Sequence, residues 1–319
     1  MKLIFCGTPQ FAVPALEALI AARHTIELVV SQPDRPVGRA QRLQAPAVKQ
    51  TALAAGLRTA QPEKIRNHAE FRAELEAIAP DAIVVVAYGR IIPPWMLALP
   101  RLGCINLHAS LLPKYRGAAP IQWAVAMGDA FTGNSTMLLE EGLDTGPILL
   151  QQTHEIAPDQ TAVELFDVLA RAGAPLLVDT LAGLAAGSIE PRPQNHALAT
   201  FAPLLDREDG RMNFADRTAH EHYNRWRGFQ PWPGAFTSLD GKKLIVQRMA
   251  VAAQPMAARS AVAEPGRVWV ENHRLLVGCA ANTWIDLLEV QLEGKKRLTA
   301  AEFLRGNPLA PDARLGENP

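Results

Sequence analysis

Five consecutive residues, Ile83-Val84-Val85-Val86-Ala87, leave this chain few choices of architecture. The run lacks polar alternation, so a strand made from it is apolar on both faces and must be covered on both. Such strands belong to parallel sheets layered between helices. The surrounding pattern agrees. Leu3-Ile4-Phe5 reads as a buried strand ended by Gly7-Thr8-Pro9. A helix follows from about Val13, with Pro14 in its first turn and Leu16, Leu19 and Ile20 along one side. Ile26-Glu27-Leu28-Val29-Val30 reads as the next strand. Strands alternating with helices over roughly the first 190 residues predict an α/β domain with a Rossmann-like, doubly wound, mostly parallel sheet. Two further helices are expected to close it. Thr161 with Glu164 caps the first, and Gly187 ends the second.

From Ile189 to Asp206 the periodicity fades and prolines stand at 191, 193 and 203. This places a first domain at 1–189, a linker at 190–206 and a second domain at 207–319. The second domain has a different grammar. One helix, capped by Thr218 with Glu221, runs to about Arg227 and is followed by short alternating segments near 235–239, 243–249, 266–270, 275–279 and 283–290. Five short strands separated by turns predict a small β-barrel. Thr299 with Glu302 caps a short terminal helix.

Composition sets bounds on function. The 319 residues suit two domains, and 32 lysines and arginines balance 32 aspartates and glutamates. Global charge therefore gives no support to a nucleic-acid partner, and any such contact must rest on a local patch. The cysteines, Cys6, Cys104 and Cys279, are far apart, which argues against a disulfide framework or a cysteine-ligated metal. No apolar run is expected to approach membrane-spanning length, so the reading is a soluble, cytoplasmic chain.

Chemistry concentrates in two stretches. Cys104-Ile105-Asn106-Leu107-His108 reads as a strand that stops at a loop punctuated by Pro113 and Gly117. Asn106 and His108 are two apart and share a face. An amide can donate to a developing oxyanion and an imidazole can move a proton near neutral pH, a pairing suited to acyl transfer. In Gly142-Leu143-Asp144-Thr145-Gly146, glycines bracket a turn that could aim Asp144 inward, where a carboxylate would orient an imidazole. Taken singly, each has a plainer reading: Asp144 as an Asx-turn, His108 as a hydrogen-bonded structural histidine, Asn106 as a strand-end residue.

Other features are less telling. Gly7-Thr8-Pro9 sits where a dinucleotide loop would, but Gly-x-Gly-x-x-Gly is absent and Pro9 removes a donor, which disfavours such a cofactor. His220 and His222 are two apart on a helix, do not share a face, and are read as surface residues rather than metal ligands. The stretch from Pro33 to Arg42 reads as a long basic loop, either solvated or clamping a phosphate-bearing substrate. Arg225, Trp226, Arg227, Phe229 and Trp232 mix cations with aromatics, suiting either RNA contact or helix-to-barrel packing.

The chain resembles the methionyl-tRNA formyltransferase family nearly end to end. The likeness rests on Phe5-Cys6-Gly7-Thr8-Pro9, Gln32-Pro33-Asp34-Arg35-Pro36, Val86-Ala87-Tyr88-Gly89 and Asn106-Leu107-His108. It continues through Ser110-Leu111-Leu112-Pro113, Arg116-Gly117-Ala118-Ala119-Pro120-Ile121-Gln122, Gly142-Leu143-Asp144-Thr145-Gly146 and Phe229-Gln230-Pro231-Trp232-Pro233. That resemblance implies an OB-like second domain and formyl transfer from 10-formyltetrahydrofolate to the amine of initiator methionyl-tRNA by a monomer. Asn106 would bind the formyl oxygen, His108 would act as general acid and base, and Asp144 would orient it. Ser110, Leu111, Leu112 and Pro113 would line the folate site, and Arg39 and Arg42 would hold the tRNA. No metal is implied. The nearest alternatives share the trio: an amino-sugar formyltransferase or a formyl-folate hydrolase. The basic loop and second domain argue for tRNA. Three departures bear on it: the loop carries Ala40-Gln41, where relatives typically carry one or more lysines after the first arginine, Leu204-Leu205 stands where a lysine is common, and Asn134-Ser135 replaces a usually more apolar pair.

Overall fold

A computed structural model of the chain describes residues 1–38, 41–256 and 262–316. The chain forms two compact units. The first comprises 1–121, 130–156 and 164–203, and the second 122–129, 157–163 and the chain from Leu204. Residues 190–203, read above as linker, thus fall within the first unit.

The first unit begins with β1 (Lys2–Gly7), α1 (Val13–Ala21) and β2 (Thr25–Val30), then a hairpin of β3 (Arg35–Val37) and β4 (Arg42–Gln44). Next come α2 (Ala47–Ala54), β5 (Thr59–Ala60), α3 (Ala69–Ile78), β6 (Ala82–Val86), α4 (Pro94–Leu97) and β7 (Cys104–His108). After α5 (Pro120–Ala126), most of which belongs to the second unit, β8 (Phe131–Leu138) and β9 (Ile148–Glu155) lead into α6 (Ala162–Ala186). The sheet runs β5-β2-β1-β6-β7-β8-β9, parallel as far as β7 and antiparallel for the last two pairings.

Ile83 to Val86 of the apolar run that opened the sequence argument fall in β6, all five of whose residues are buried, while Ala87 is exposed beyond its end. Ile83 and Val85 join Ile4, Cys6, Leu28 and Val30 in a core against Phe71, Leu75 and Ile78 of α3. Each fully buried valine or isoleucine contributes roughly 1.5–3 kcal/mol. Ala87 leaves the strand with φ +46°, a left-handed backbone that turns the chain towards Tyr88.

Two sequence expectations need correction here. The two closing helices are one continuous helix, α6, with Pro175 inside it. Leu165, Leu169, Leu177 and Leu181 are fully buried on both sides of that proline, so packing carries the helix through a residue that lacks its backbone donor. Gly187 does follow its end, with φ +67°. By length and composition α6 is also apolar enough to cross a membrane, contrary to the expectation that no run would be. Its buried leucine stripe reads as a core helix.

In the second unit, α7 (Ala219–Gly228) starts at the Thr218–Glu221 capping box seen in the sequence. There follow β10 (Ala235–Leu239), β11 (Lys242–Ala252), β12 (Val268–Glu271), β13 (Arg274–Cys279), β14 (Thr283–Leu292) and β15 (Leu298–Thr299). α8 (Ala300–Gly306) then starts at the Thr299–Glu302 box. The antiparallel sheet runs β10-β11-β14-β13-β12, with β15 on β14, as expected of an OB-like domain. Leu244, Val246, Leu275, Val277, Ile285, Leu287 and Phe303 fill its core. His222 is a further correction. It is buried, not a surface residue: its ring packs 5.2 Å from Phe214 and its Nε2 lies 3.1 Å from the Asn213 carbonyl.

Candidate active site

The parallel strands β1, β2, β6 and β7 all end on one side of the sheet, where open α/β sheets bind ligands. The loops there are tied to one another. Thr8 Oγ1 donates to the Tyr88 carbonyl at 2.9 Å, and the Gln32 amide donates to Thr8 Oγ1 at 3.2 Å. Gln32 Nε2 also donates to the Tyr88 and Gly89 carbonyls.

β7 lies between β6 and β8, with Asn106 opposite Val85 and Met137 and His108 opposite Ser135. The expected shared face of Asn106 and His108 is therefore real, and both side chains are buried. Among the described residues, none hydrogen-bonds the Asn106 carboxamide. Its polar atoms are not sealed from solvent, so the amide is free to donate to a molecule bound at the end of the strand.

His108 is held at one nitrogen and open at the other. Its Nε2 lies 2.9 Å from the Tyr115 carbonyl. A carbonyl only accepts, so Nε2 carries the proton and the neutral ring leaves Nδ1 bare. That Nδ1 faces Asp144 Oδ2 at 3.7 Å. A proton taken up at Nδ1 would sit beside that carboxylate.

Asp144 reaches this place from the turn after β8. Its φ is +50°, and the flanking glycines are needed for close approach. A Cβ on Gly146 would run into the Leu138 carbonyl, and one on Gly142 into Thr145 Oγ1. The Gly117 amide donates to Asp144 Oδ2 at 2.9 Å, which keeps the carboxylate turned towards the histidine.

The loop after β7 is anchored by Ser135, whose hydroxyl donates to the Ser110 carbonyl at 2.6 Å and accepts from the Leu112 amide and Gln151 Nε2. Ser110 is fully buried and spends its own hydroxyl on the Lys114 carbonyl, and Leu112 is buried as well. Leu111 and Pro113 keep partly exposed surfaces.

The basic segment is not the irregular loop expected. It forms the β3–β4 hairpin, with Arg42 exposed and opposite Val37. Arg39 lies outside the described residues. Asp34, at the hairpin's base, is bound by Lys49 and Gln61, which hold its carboxyl below the usual range. Of the residues singled out from sequence, Asn106, His108 and Asp144 come together; Arg42 stands apart on its hairpin.

Four groups at this site carried no sequence signal of a role. The Tyr115 carbonyl and Gly117 amide are main-chain groups, which residue type does not reveal. Ser135 stood out only as half of the Asn134-Ser135 pair, where relatives are usually more apolar. Gln194 lay in the proline-rich stretch read as linker. Its Nε2 donates to the Asp144 and Gly146 carbonyls at 2.9 and 2.7 Å, and its Oε1 accepts from Arg116 Nε and Nη2 at 3.1 and 2.7 Å.

A family model described as "Formyl transferase" matches residues 1–181, and one described as "Formyl transferase, C-terminal domain" matches 204–308. A methionyl-tRNA formyltransferase from Acidobacterium capsulatum is 64% identical over 99% of this chain and 100% of its own length. One from Koribacter versatilis is 56% identical over 96% of each. Among solved structures, an N-formyltransferase from Helicobacter canadensis, in complex with folinic acid and dTDP-3-aminofucose, superposes with a TM-score of 0.66 at 18% identity. It covers 90% of this chain and 98% of that one. HypX from Aquifex aeolicus, in complex with tetrahydrofolic acid, gives 0.59 at 15% identity over 95% of this chain and 46% of its own. At those identities the solved structures establish the fold.

Proposed function

The chain belongs to the methionyl-tRNA formyltransferase family, and on that premise we propose that it moves the formyl group of 10-formyltetrahydrofolate onto the amino group of initiator methionyl-tRNA. The observation that carries this reading at the site is the free Asn106 carboxamide beside a His108 ring open at Nδ1.

Asn106 donates a hydrogen bond to the formyl oxygen as the aminoacyl nitrogen attacks the formyl carbon and negative charge grows on that oxygen. His108 takes the proton released by the attacking nitrogen at Nδ1, and Asp144 stabilises the imidazolium that results. The same ring returns the proton to N10 of the folate as the carbon–N10 bond breaks, so that N10 leaves as a neutral amine. One new C–N bond replaces one old one and no external acid or oxidant enters. Leu111 and Pro113 offer apolar surface to the folate, while Ser110 and Leu112 set the course of the loop. Arg42, together with Arg39, supplies charge for the tRNA backbone. All three cysteines are free and buried, in keeping with work in a reducing cytoplasm.

The test is formyl transfer from 10-formyltetrahydrofolate to initiator methionyl-tRNA, run beside an amino-sugar nucleotide and beside no acceptor. Tetrahydrofolate release that depends on the charged tRNA is the expected result. Release with the amino sugar would keep the chemistry and overturn the acceptor, and release without any acceptor would make the chain a formyl-folate hydrolase.

A further inference from the structure

We infer that Gln194 is a positioning residue for the transfer reaction, holding the Asp144 turn so that its carboxylate faces His108. The inference rests on the proposed formyl transfer and extends it to a segment, 182–203, that lies between the two family-matched regions.

Gln194 is buried, and every hydrogen-bonding position of its carboxamide is used. One end grips the carbonyls of Asp144 and Gly146, two acceptors on a tight turn. The other end accepts twice from Arg116. That guanidinium is itself buried, and its Nη2 also lies 3.2 Å from His196 Nδ1. Among the described residues, no carboxylate pairs with Arg116. Its charge therefore falls on the Gln194 oxygen, which polarises the amide and strengthens the donors at the far end.

Only a carboxamide satisfies both sides. A glutamate of the same shape would keep Arg116 but set a second acceptor against two carbonyl oxygens. The consequence for the site is a closed ring of bonds. Tyr115 accepts from His108, Gly117 donates to the Asp144 carboxylate, and Arg116 between them orients Gln194, which holds the Asp144 main chain. Three consecutive residues thus fix both members of the His108–Asp144 pair. Segment 192–202 is stapled to the same unit by the Arg192–Ile148 and Arg116–Phe201 bridges, so Gln194 reaches the turn from an anchored base.

The experiment compares Q194E with wild type, alone and in a D144N background, using steady-state formyl transfer to methionyl-tRNA. The expected outcome is a fall in kcat of about tenfold or more, with both KM values within twofold and less than a further twofold loss in D144N. N195A, which removes only the cap of the neighbouring 3-10 turn, should stay within twofold of wild type. Faster hydrogen exchange at the Gly117 amide in Q194E should report the released carboxylate independently of turnover. A kcat within twofold of wild type, a loss that multiplies with D144N, an equal loss in N195A, or an unchanged Gly117 amide would overturn the inference. Should Q194E not fold, Q194N keeps the carboxamide, shortens its reach by one methylene and carries the same expectations. A silent wild type counts against the proposed reaction, and Gly117 exchange still decides the role of Gln194.

Discussion

The end of β7 and the β3–β4 hairpin belong to the same unit and both carry residues proposed to meet substrate, yet they are built in opposite ways. β7 has a partner on each side, all five of its residues are buried, and the turns around it are bound to one another through side chains and main chain. The hairpin pairs only with itself, and Arg42, Leu43 and Gln44 are exposed. A proton moves over tenths of an ångström, so the groups that move it need many constraints. A phosphate backbone is long, uniformly charged and approached from solvent, so the groups that meet it need reach and exposure.

The largest expected effect tests the rigid half of that contrast. His108→Ala should lower kcat by about 10²–10⁴-fold, and Asn106→Ala by about 10²–10³-fold, with KM for both substrates within a few-fold. Steady-state kinetics would decide it, and near-normal turnover in either variant would remove that residue from the chemistry.

The same contrast between buried and exposed recurs in the second unit, two residues apart, at His220 and His222. Burial pushes the His222 imidazole down from 6.5 to about 4, because a charge there would lose its water. The unfolded chain therefore binds a proton near pH 6.5 that the folded chain refuses until about pH 4. Stability should be full above about pH 6.5, fall by about 3 kcal/mol as the pH drops towards 4, and then level off from this group. Denaturant titrations from pH 7 to 4 would measure the slope, and His222→Gln should flatten it.

The smallest effect sharpens the flexible half. Arg42→Ala should raise KM for the tRNA several-fold, leave kcat and folate binding unchanged, and reduce the salt slope of tRNA binding by roughly one. An effect on kcat instead would tie the hairpin to the chemistry and break the contrast.

Much of the architecture was legible because it follows from local rules. An apolar run such as 83–87 must be covered on both faces, and Thr218 with Glu221 caps a helix in any context that leaves the first turn free. Where local rules competed with packing, packing won. Pro175 should have split α6, but leucines buried on both sides of it hold one helix together. His222 sits in a strongly polar stretch, yet one face of α7 needed a flat ring against Phe214.

The sequence by itself determined the parallel strands of the sheet, the shared face of Asn106 and His108, and the turn that carries Asp144, because strand period and glycine punctuation are properties of neighbouring residues. The antiparallel β8 and β9 were not legible in it. Only the tertiary structure decided that Asp144 meets His108, that Nδ1 is the open nitrogen, and that Gln194 braces the turn. Those depend on the Tyr115 carbonyl, the Gly117 amide and residues far apart in the chain. Hydrogen bonds between main-chain groups leave no trace in residue type, and a contact across dozens of residues exists only once the chain has closed around it.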